Sequence, residues 1–327
     1  MPSRAMPGVN KTSLIIATRA SELALRQAKQ VQAALAAHGV AAELRTYRTT
    51  GDKRLNEPLS AIGAKGLFTK ELEADLANGA VQCCVHSLKD LPTDMPPGLE
   101  IAALLPREDP RDVLVVNGSV GATSIGELPA GSRIGTSSLR RRSQLLAARS
   151  DLDVVELRGN VPTRVRKVDE GHVHAAILAA AGLHRLDVRQ RIAAYLDAPG
   201  WLPAAGQGAI AIQIRADDDI TRAAIMPLAD ERTMIDTRAE RAFLAALQGG
   251  CQVPIGAVVA RAEGRAVLHG FIGDVRGTQL IRGEIPLDAS DPDASGAALA
   301  RDLRARGATQ ILDALNRTPN VPAPQPE

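Results

Sequence analysis

The chain has 327 residues, 45% of them hydrophobic and 23% charged, the balance of a soluble globular protein long enough to need more than one core. Its 39 basic and 37 acidic residues leave a net charge of +2, so no global field draws it to nucleic acid or to a membrane, and anion recognition has to come from local clustering. Aromatic residues make up only 2%, which removes the stacking platforms used by single-strand nucleic-acid binders.

The N-terminal stretch 1–11 and the Pro-rich stretch 317–327 have loop composition and are expected to be disordered tails. The apolar run Leu14-Ile15-Ile16-Ala17 is too short for a signal peptide. No run approaches the ~18 apolar residues of a membrane span. Between the tails, spacing predicts strands at 14–18, 42–48, 81–85, 101–105 and 113–116, with helices at 21–37 and 68–78. Strand and helix in this alternation predict a parallel sheet covered on both faces. The pattern restarts with strands at 133–135, 154–157 and 175–179 and helices at 139–148 and 162–170, the latter with a proline in its first turn. A further strand follows at 209–214. From about Asp217 the composition shifts to a helix at 237–247, strands at 258–260, 266–272 and 279–284, and a final helix at 296–315. The reading is two α/β domains and a smaller α+β domain.

In open α/β sheets ligands bind beyond the carboxyl ends of the strands. Strand 14–18 is followed by Arg19 and Ser21, and strand 81–85 by His86, Ser87, Lys89 and Asp90. After 133–135 come Thr136, Ser137, Ser138, Arg140, Arg141 and Arg142. After 154–157 come Arg158, Asn160 and Arg164, and after 175–179 come Gly182 and Arg185. One arginine at such a place is ordinarily a solvated helix face. Successive strand ends carrying cations and hydroxyls describe one crevice for a polyanion, with helix N-termini adding backbone donors and arginine supplying bidentate grip. Asp90 is out of place there unless it has its own task, either stabilising positive charge or holding an N–H on the reacting ligand. Its bland reading is a helix cap before Leu91-Pro92-Thr93.

The three cysteines are odd in number and two are adjacent, a poor disulfide framework that fits a reducing compartment and a cytoplasmic protein. Cys83 and Cys84 lie in an apolar strand pattern and read as core. Cys251, after Gly249-Gly250, sits in a pliable turn where a thiol can be exposed. Gly206-Gln207-Gly208 is only a fragment of a dinucleotide fingerprint and precedes a strand. His172 and His174 lack acidic or sulfur partners, so no metal is expected.

Several of these segments are similar to the porphobilinogen deaminase family, in its order, over about 15–315. They include Ala17-Thr18-Arg19-Ala20-Ser21, Lys65-Gly66-Leu67-Phe68-Thr69-Lys70-Glu71-Leu72 and Val85-His86-Ser87-Leu88-Lys89-Asp90-Leu91-Pro92. Arg107-Glu108-Asp109-Pro110-Arg111-Asp112, Gly135-Thr136-Ser137-Ser138-Leu139-Arg140-Arg141 and Leu157-Arg158-Gly159-Asn160 follow. Ala180-Ala181-Gly182-Leu183, Gly206-Gln207-Gly208-Ala209 and Gly249-Gly250-Cys251-Gln252-Val253-Pro254-Ile255-Gly256 complete the set.

The resemblance implies two periplasmic-binding-protein-like α/β domains, 12–108 with 209–226 and 109–208, flanking a cleft. A third α+β domain, 227–316, would carry the cysteine. It implies a transferase of porphyrin and haem biosynthesis that condenses four porphobilinogen molecules head to tail, releasing ammonia, to give linear hydroxymethylbilane. It also implies a dipyrromethane cofactor joined by a thioether to Cys251, with Asp90 as the catalytic carboxylate. Arg19, Ser21, Lys65, Ser87, Lys89, Thr136, Ser138, Arg140, Arg141, Arg158, Arg164 and Arg185 would hold substrate and cofactor carboxylates. A monomer without nucleic-acid or membrane partners is the family expectation. The chain departs from many relatives at Ala61, where a lysine is frequent, and at Arg26, where an aromatic residue is frequent; Arg142 extends the arginine pair. Two other readings stand beside this one: a two-domain receptor for a small anion without turnover, and an arginine-driven nucleic-acid binder. Asp90 and Cys251 count against both.

Overall fold

The computed structural model describes residues 13–49, 69–247 and 253–316. The first lobe is built on β1 (Leu14–Arg19), β2 (Ala42–Tyr47), β3 (Cys83–Ser87), β4 (Leu99–Leu104) and a returning strand, β10 (Ile210–Arg215). They form one five-stranded sheet in the order β2-β1-β3-β10-β4. Helix α1 (Glu22–Ala37) buries Leu23, Ala28, Val31 and Leu35 at helical spacing. Ala28, Val31 and Leu35 pack with Ile16, Val85 and Ile212 on one face of the sheet. On the other face α2 (Lys70–Ala77) lays Leu72 and Leu76 against Ala17 and Cys84. Each fully buried side chain of this kind contributes roughly 1.5–3 kcal/mol of hydrophobic stabilisation.

The second lobe repeats the plan with β5 (Asp112–Val116), β6 (Arg133–Gly135), β7 (Asp153–Val155), β8 (Ala175–Ala179) and β9 (Ala194–Leu196), in the order β7-β6-β8-β5-β9. Its helices are α3 (Leu139–Ala148), α4 (Val161–Asp169) and α5 (Ala180–Arg185). Leu23 of α1 packs into this lobe's core beside Val161 and Leu183, so the lobes touch directly as well as through the chain.

Neither sheet is the parallel sheet that the alternation predicts. β10 runs antiparallel to β3 and β4, and β5 runs antiparallel to β8 and β9. The reason is the path of the chain. β5 and β10 are each the first strand after the chain crosses between lobes, β4 to β5 and β9 to β10. The start of β10, Ile210, pairs with the end of β3, Ser87. Likewise the start of β5, Asp112, pairs with the end of β8, Ala179. Both crossings therefore enter their sheets from the carboxyl edge, and both carboxyl edges face the crossing segments.

After β10 come α6 (Asp219–Ile225) and α7 (Glu231–Ala246), the latter beginning before the predicted 237 because Asp230 caps it through the Thr233 N–H at 2.7 Å. β11 (Ile255–Ala262), β12 (Arg265–Gly273) and β13 (Leu280–Pro286) form an antiparallel sheet. It is covered by α7 and α8 (Pro292–Leu303) around Phe243 and Leu299. The single helix expected at 296–315 is interrupted at Gly307, φ 110°, and resumes as α9 (Thr309–Asn316).

The two crossings are hydrogen-bonded to each other, Glu108 N–H to Gly208 O at 3.2 Å. Gly208 has φ +89°, and a Cβ there would lie 2.3 Å from the Glu108 carbonyl oxygen. Gly208→Ala combines left-handed strain of about 1–2 kcal/mol with a backbone clash, so the expected outcome is a thermal midpoint several degrees lower. An unchanged midpoint would show that the crossings do not have to lie this close.

Candidate active site

Four predicted residues of the first lobe, Arg19, Ser21, Ser87 and Asp90, line one recess together with Gln27 and His86. The local sequence explains the gathering. Ser21 caps α1, its Oγ accepting the Ala24 N–H at 3.3 Å, and Gln27 on the next turn donates to Ser87 Oγ at 2.8 Å. Ser138 caps α3 by accepting the Arg141 N–H, and Asn160 caps α4 by accepting the Thr163 N–H. Thr136 is buried, and its Oγ1 accepts the Ser138 N–H at 3.2 Å. Three helices thus begin at strand carboxyl ends, each turning its positive end toward the crossings.

Arg140 and Arg141 are buried and converge on Asp112, the first residue of β5. Arg140 Nη1 donates to Asp112 Oδ2 at 2.5 Å and to Leu202 O at 2.8 Å. Arg141 Nη2 and Nε donate to Asp112 Oδ1 at 2.8 and 3.1 Å, and its Nη1 to Ile177 O at 3.0 Å. The resemblance assigns both arginines to ligand carboxylates; in the structure both bond to a carboxylate of the protein. Trp201 Nε1 and Gln207 Nε2 complete the shell of Asp112 at 2.7 and 2.9 Å. Burial alone would raise the pKa of Asp112, but the charges of Arg140 and Arg141 outweigh it and hold the group far below the usual carboxylate range. Gln207 carries the network onward, since its Oε1 accepts from Lys89 Nζ at 3.3 Å.

The other predicted cations have local partners. Arg158 Nε donates to Glu156 Oε1 and Arg164 Nε to Gly159 O, each at 2.7 Å. Arg185 Nη2 donates to Gly208 O at 2.7 Å; burial lowers its pKa to about 10, with Glu108 acting the other way, so it stays charged at neutral pH. His86 is buried with Nε2 3.1 Å from Gln213 Oε1, and burial lowers its pKa to about 4 against that contact. Cys83 and Cys84 are wholly buried, and burial pushes the Cys83 thiol up to about 12 and that of Cys84 well above its ordinary value. Both are core residues, as their strand pattern implies.

Comparison with known proteins decides what this assembly is. Residues 14–223 match the family model described as porphobilinogen deaminase, dipyrromethane cofactor binding domain, and residues 234–305 match the porphobilinogen deaminase C-terminal domain. The chain belongs to the porphobilinogen deaminase family. The porphobilinogen deaminase of Syntrophotalea carbinolica is 47% identical over 97% of this chain and 100% of its own length. That of Moorella thermoacetica is 47% identical over 91% of this chain and 95% of its own. Among solved structures the methionine-binding protein MetQ aligns over 73% of this chain and 95% of its own, with 13% identity and a TM-score of 0.44. The chain is thus an enzyme of a transferase family with two mixed α/β lobes and a smaller α+β unit.

Two predicted positions, Lys65 and Cys251, lie outside the described residues, as do Ala61 and the stretches 1–11 and 317–327. Among the residues that sequence reasoning left without a role are Asp112, Gln207, Gln27 and Gln213. Asp112 had a readable signal: an acid opening the otherwise apolar strand Asp112-Val113-Leu114-Val115-Val116 demands a buried cation, and Arg140-Arg141 was at hand. The donor chemistry fits the family's cofactor. Guanidinium groups, hydroxyls and helix N-termini suit a ligand bearing several carboxylates.

Asp112→Asn keeps the shape but leaves two buried guanidinium groups facing a neutral amide. Removing one partner of a buried ion pair costs about 3–5 kcal/mol. The sign follows from the depressed pKa. Stabilisation by Asp112 is complete above the unfolded carboxylate range near pH ~4 and declines as pH falls below it. Urea unfolding should show a lower midpoint for Asp112→Asn at pH 7, with the gap to wild type narrowing as the pH falls below 4. A gap that is absent at pH 7, or that widens in acid, would contradict this account.

Proposed function

We propose that this enzyme is a hydroxymethylbilane synthase: it condenses four porphobilinogen molecules head to tail, with release of ammonia, on a dipyrromethane cofactor carried by Cys251. The observation that carries the reading is the placement of Asp90 in a recess with Arg19, Ser21 and Ser87, at the carboxyl edge of the first sheet and beside the Lys89–Gln207–Asp112 network. It acts as a monomer in the cytoplasm, without nucleic-acid or membrane partners. Among the described residues no helix is long and apolar enough to cross a membrane.

Porphobilinogen carries an acetate and a propionate, so carboxylates accumulate as the chain grows. Arg19, Arg158, Arg164 and Arg185, with Lys65, Lys89, Ser21, Ser87, Thr136 and Ser138, hold these groups and those of the cofactor. Arg140 and Arg141 contribute charge from behind, with Asp112 balancing part of it. A charge-assisted hydrogen bond contributes roughly 1.5–3 kcal/mol, so several together hold a flexible oligomer. When bound, the dipyrromethane supplies a nucleophilic pyrrole carbon already tethered beside the incoming substrate. Asp90 serves the substrate. Departure of ammonia from the aminomethyl group leaves a delocalised cation on porphobilinogen, and the carboxylate stabilises it and orients its pyrrole N–H. At about 4 Å and an effective dielectric of about 20, one such charge pair amounts to about 4 kcal/mol, roughly a thousandfold in rate.

Asp90→Asn should therefore lower kcat by roughly a thousandfold while the purified protein keeps the mass of sequence plus cofactor. Activity within about tenfold of wild type would remove Asp90 from this role. Intact-mass measurement also tests the tether. The wild-type protein should exceed its sequence mass by one dipyrromethane, and Cys251→Ala should weigh its sequence mass alone and be inactive. A wild-type protein of bare sequence mass, with Cys251 freely alkylated, would refute the covalent cofactor.

A further inference from the structure

We propose that Arg241, on a helix of the third unit, is a positioning residue for Asp90 and fixes the turn that carries its carboxylate. The inference rests on the reading of Asp90 given above. Asp90 closes a single 3-10 turn, Leu88–Asp90. The turn is anchored on its entry side by the Leu88 N–H to Ala209 O at 3.0 Å, and closed by the Leu91 N–H to Leu88 O at 3.1 Å. Beyond it the chain has no strand partner until Leu99, and Pro92 has no N–H to give. The exit side is held from the third unit instead. Arg241 Nη1 donates to Leu91 O at 3.2 Å, and Nη2 donates to Pro92 O at 2.6 Å and to Thr93 O at 3.5 Å.

Among the described residues no carboxylate lies within ion-pair distance of Arg241. Burial lowers its pKa, with Asp94 acting the other way. A desolvated guanidinium with only carbonyls for partners depends on those carbonyls, and it fixes them in turn. Nor is this contact needed to attach the third unit. Arg107 grips Glu240 of α7 at 2.7 and 2.9 Å, and the Ala257 N–H donates to Pro203 O at 3.0 Å. What Arg241 adds is the fixed exit of the turn, one residue past Asp90. A displacement of about 1 Å at a reacting group costs on the order of a hundredfold in rate.

The test is Arg241→Met and Arg241→Lys, each purified with cofactor loading verified by intact mass, followed by kcat and KM for porphobilinogen. The expected result for Arg241→Met is a kcat lower by about a hundredfold with KM within about twofold of wild type. Arg241→Lys, which still reaches one carbonyl, should recover about tenfold of that loss. A loaded Arg241→Met enzyme with kcat within about threefold of wild type, or with its loss confined to KM, would overturn the proposal. Should Arg241→Met not fold, Arg241→Gln keeps a donor and enters the comparison in its place. Asp90→Asn in the same assay separates the two readings. If Asp90→Asn stays active, the role of Asp90 itself fails; if it is inactive while Arg241→Met is normal, only the positioning role fails.

Discussion

A single buried carboxylate, Asp112, governs how the crevice is assembled. It sits where the chain enters the second sheet, and four side chains donate to it: Arg140, Arg141, Trp201 and Gln207. They come from the head of α3 and from the second crossing, so the carboxylate draws both to the carboxyl edge. Taking a charge out of water costs several kcal/mol, and only paired, well-aligned donors offset it. The arrangement also has a charge consequence. Two guanidinium groups share this one carboxylate, so Asp112 by itself offsets only one of their two charges. Arg140 and Arg141 tie the head of α3 to β5, β8 and the second crossing through contact.

Glu240 repeats this logic at the third unit. It is wholly buried and accepts both Nη groups of Arg107, the Gly206 N–H at 2.7 Å and the Val259 N–H at 2.9 Å. Arg107 belongs to the first crossing and Gly206 to the second, and Val259 lies in β11. Each carboxylate thus bonds across both crossings or across a crossing and a lobe. Directional, charge-assisted bonds join the crossings to the third unit, beside apolar contacts such as Leu202 with Val258 and Phe271. Such bonds specify one geometry, whereas apolar contact alone tolerates sliding.

Much of this was legible in the sequence because it depends on local rules. Most strand and helix positions followed from period and caps, though β9 and α6 did not, and the strand-end rule found Arg19, Ser87 and Asp90, which do line one recess. The apolar strand pattern also marked Cys83 and Cys84 as core, and both are buried. What escaped it depends on the long path of the chain. The reversed sense of β5 and β10 is invisible to periodicity, because an apolar strand buried on both faces reads alike in either direction. Gln207 looked like part of a weak glycine motif, yet its partners Lys89 and Asp112 lie about a hundred residues away in sequence. Arg241 carries no local mark at all: it lies on a helix rich in charges, and only the fold brings the carbonyls of Leu91 and Pro92 to it.

The same geometry limits which groups at the recess can change charge. Gln213 Nε2 donates to Glu73 Oε1 at 3.1 Å, so its Oε1 is turned to His86 and must accept that ring's Nε2–H. The imidazole is thereby held as one neutral tautomer, and with burial lowering its pKa to about 4 it adds no cation beside Asp90 near neutral pH. A neutral His86 leaves Arg19 and Asp90 as the charged groups among the described residues that line the recess. The positive charge lining the recess is supplied instead by an arginine, Arg19, a side chain suited to bidentate contact with carboxylates.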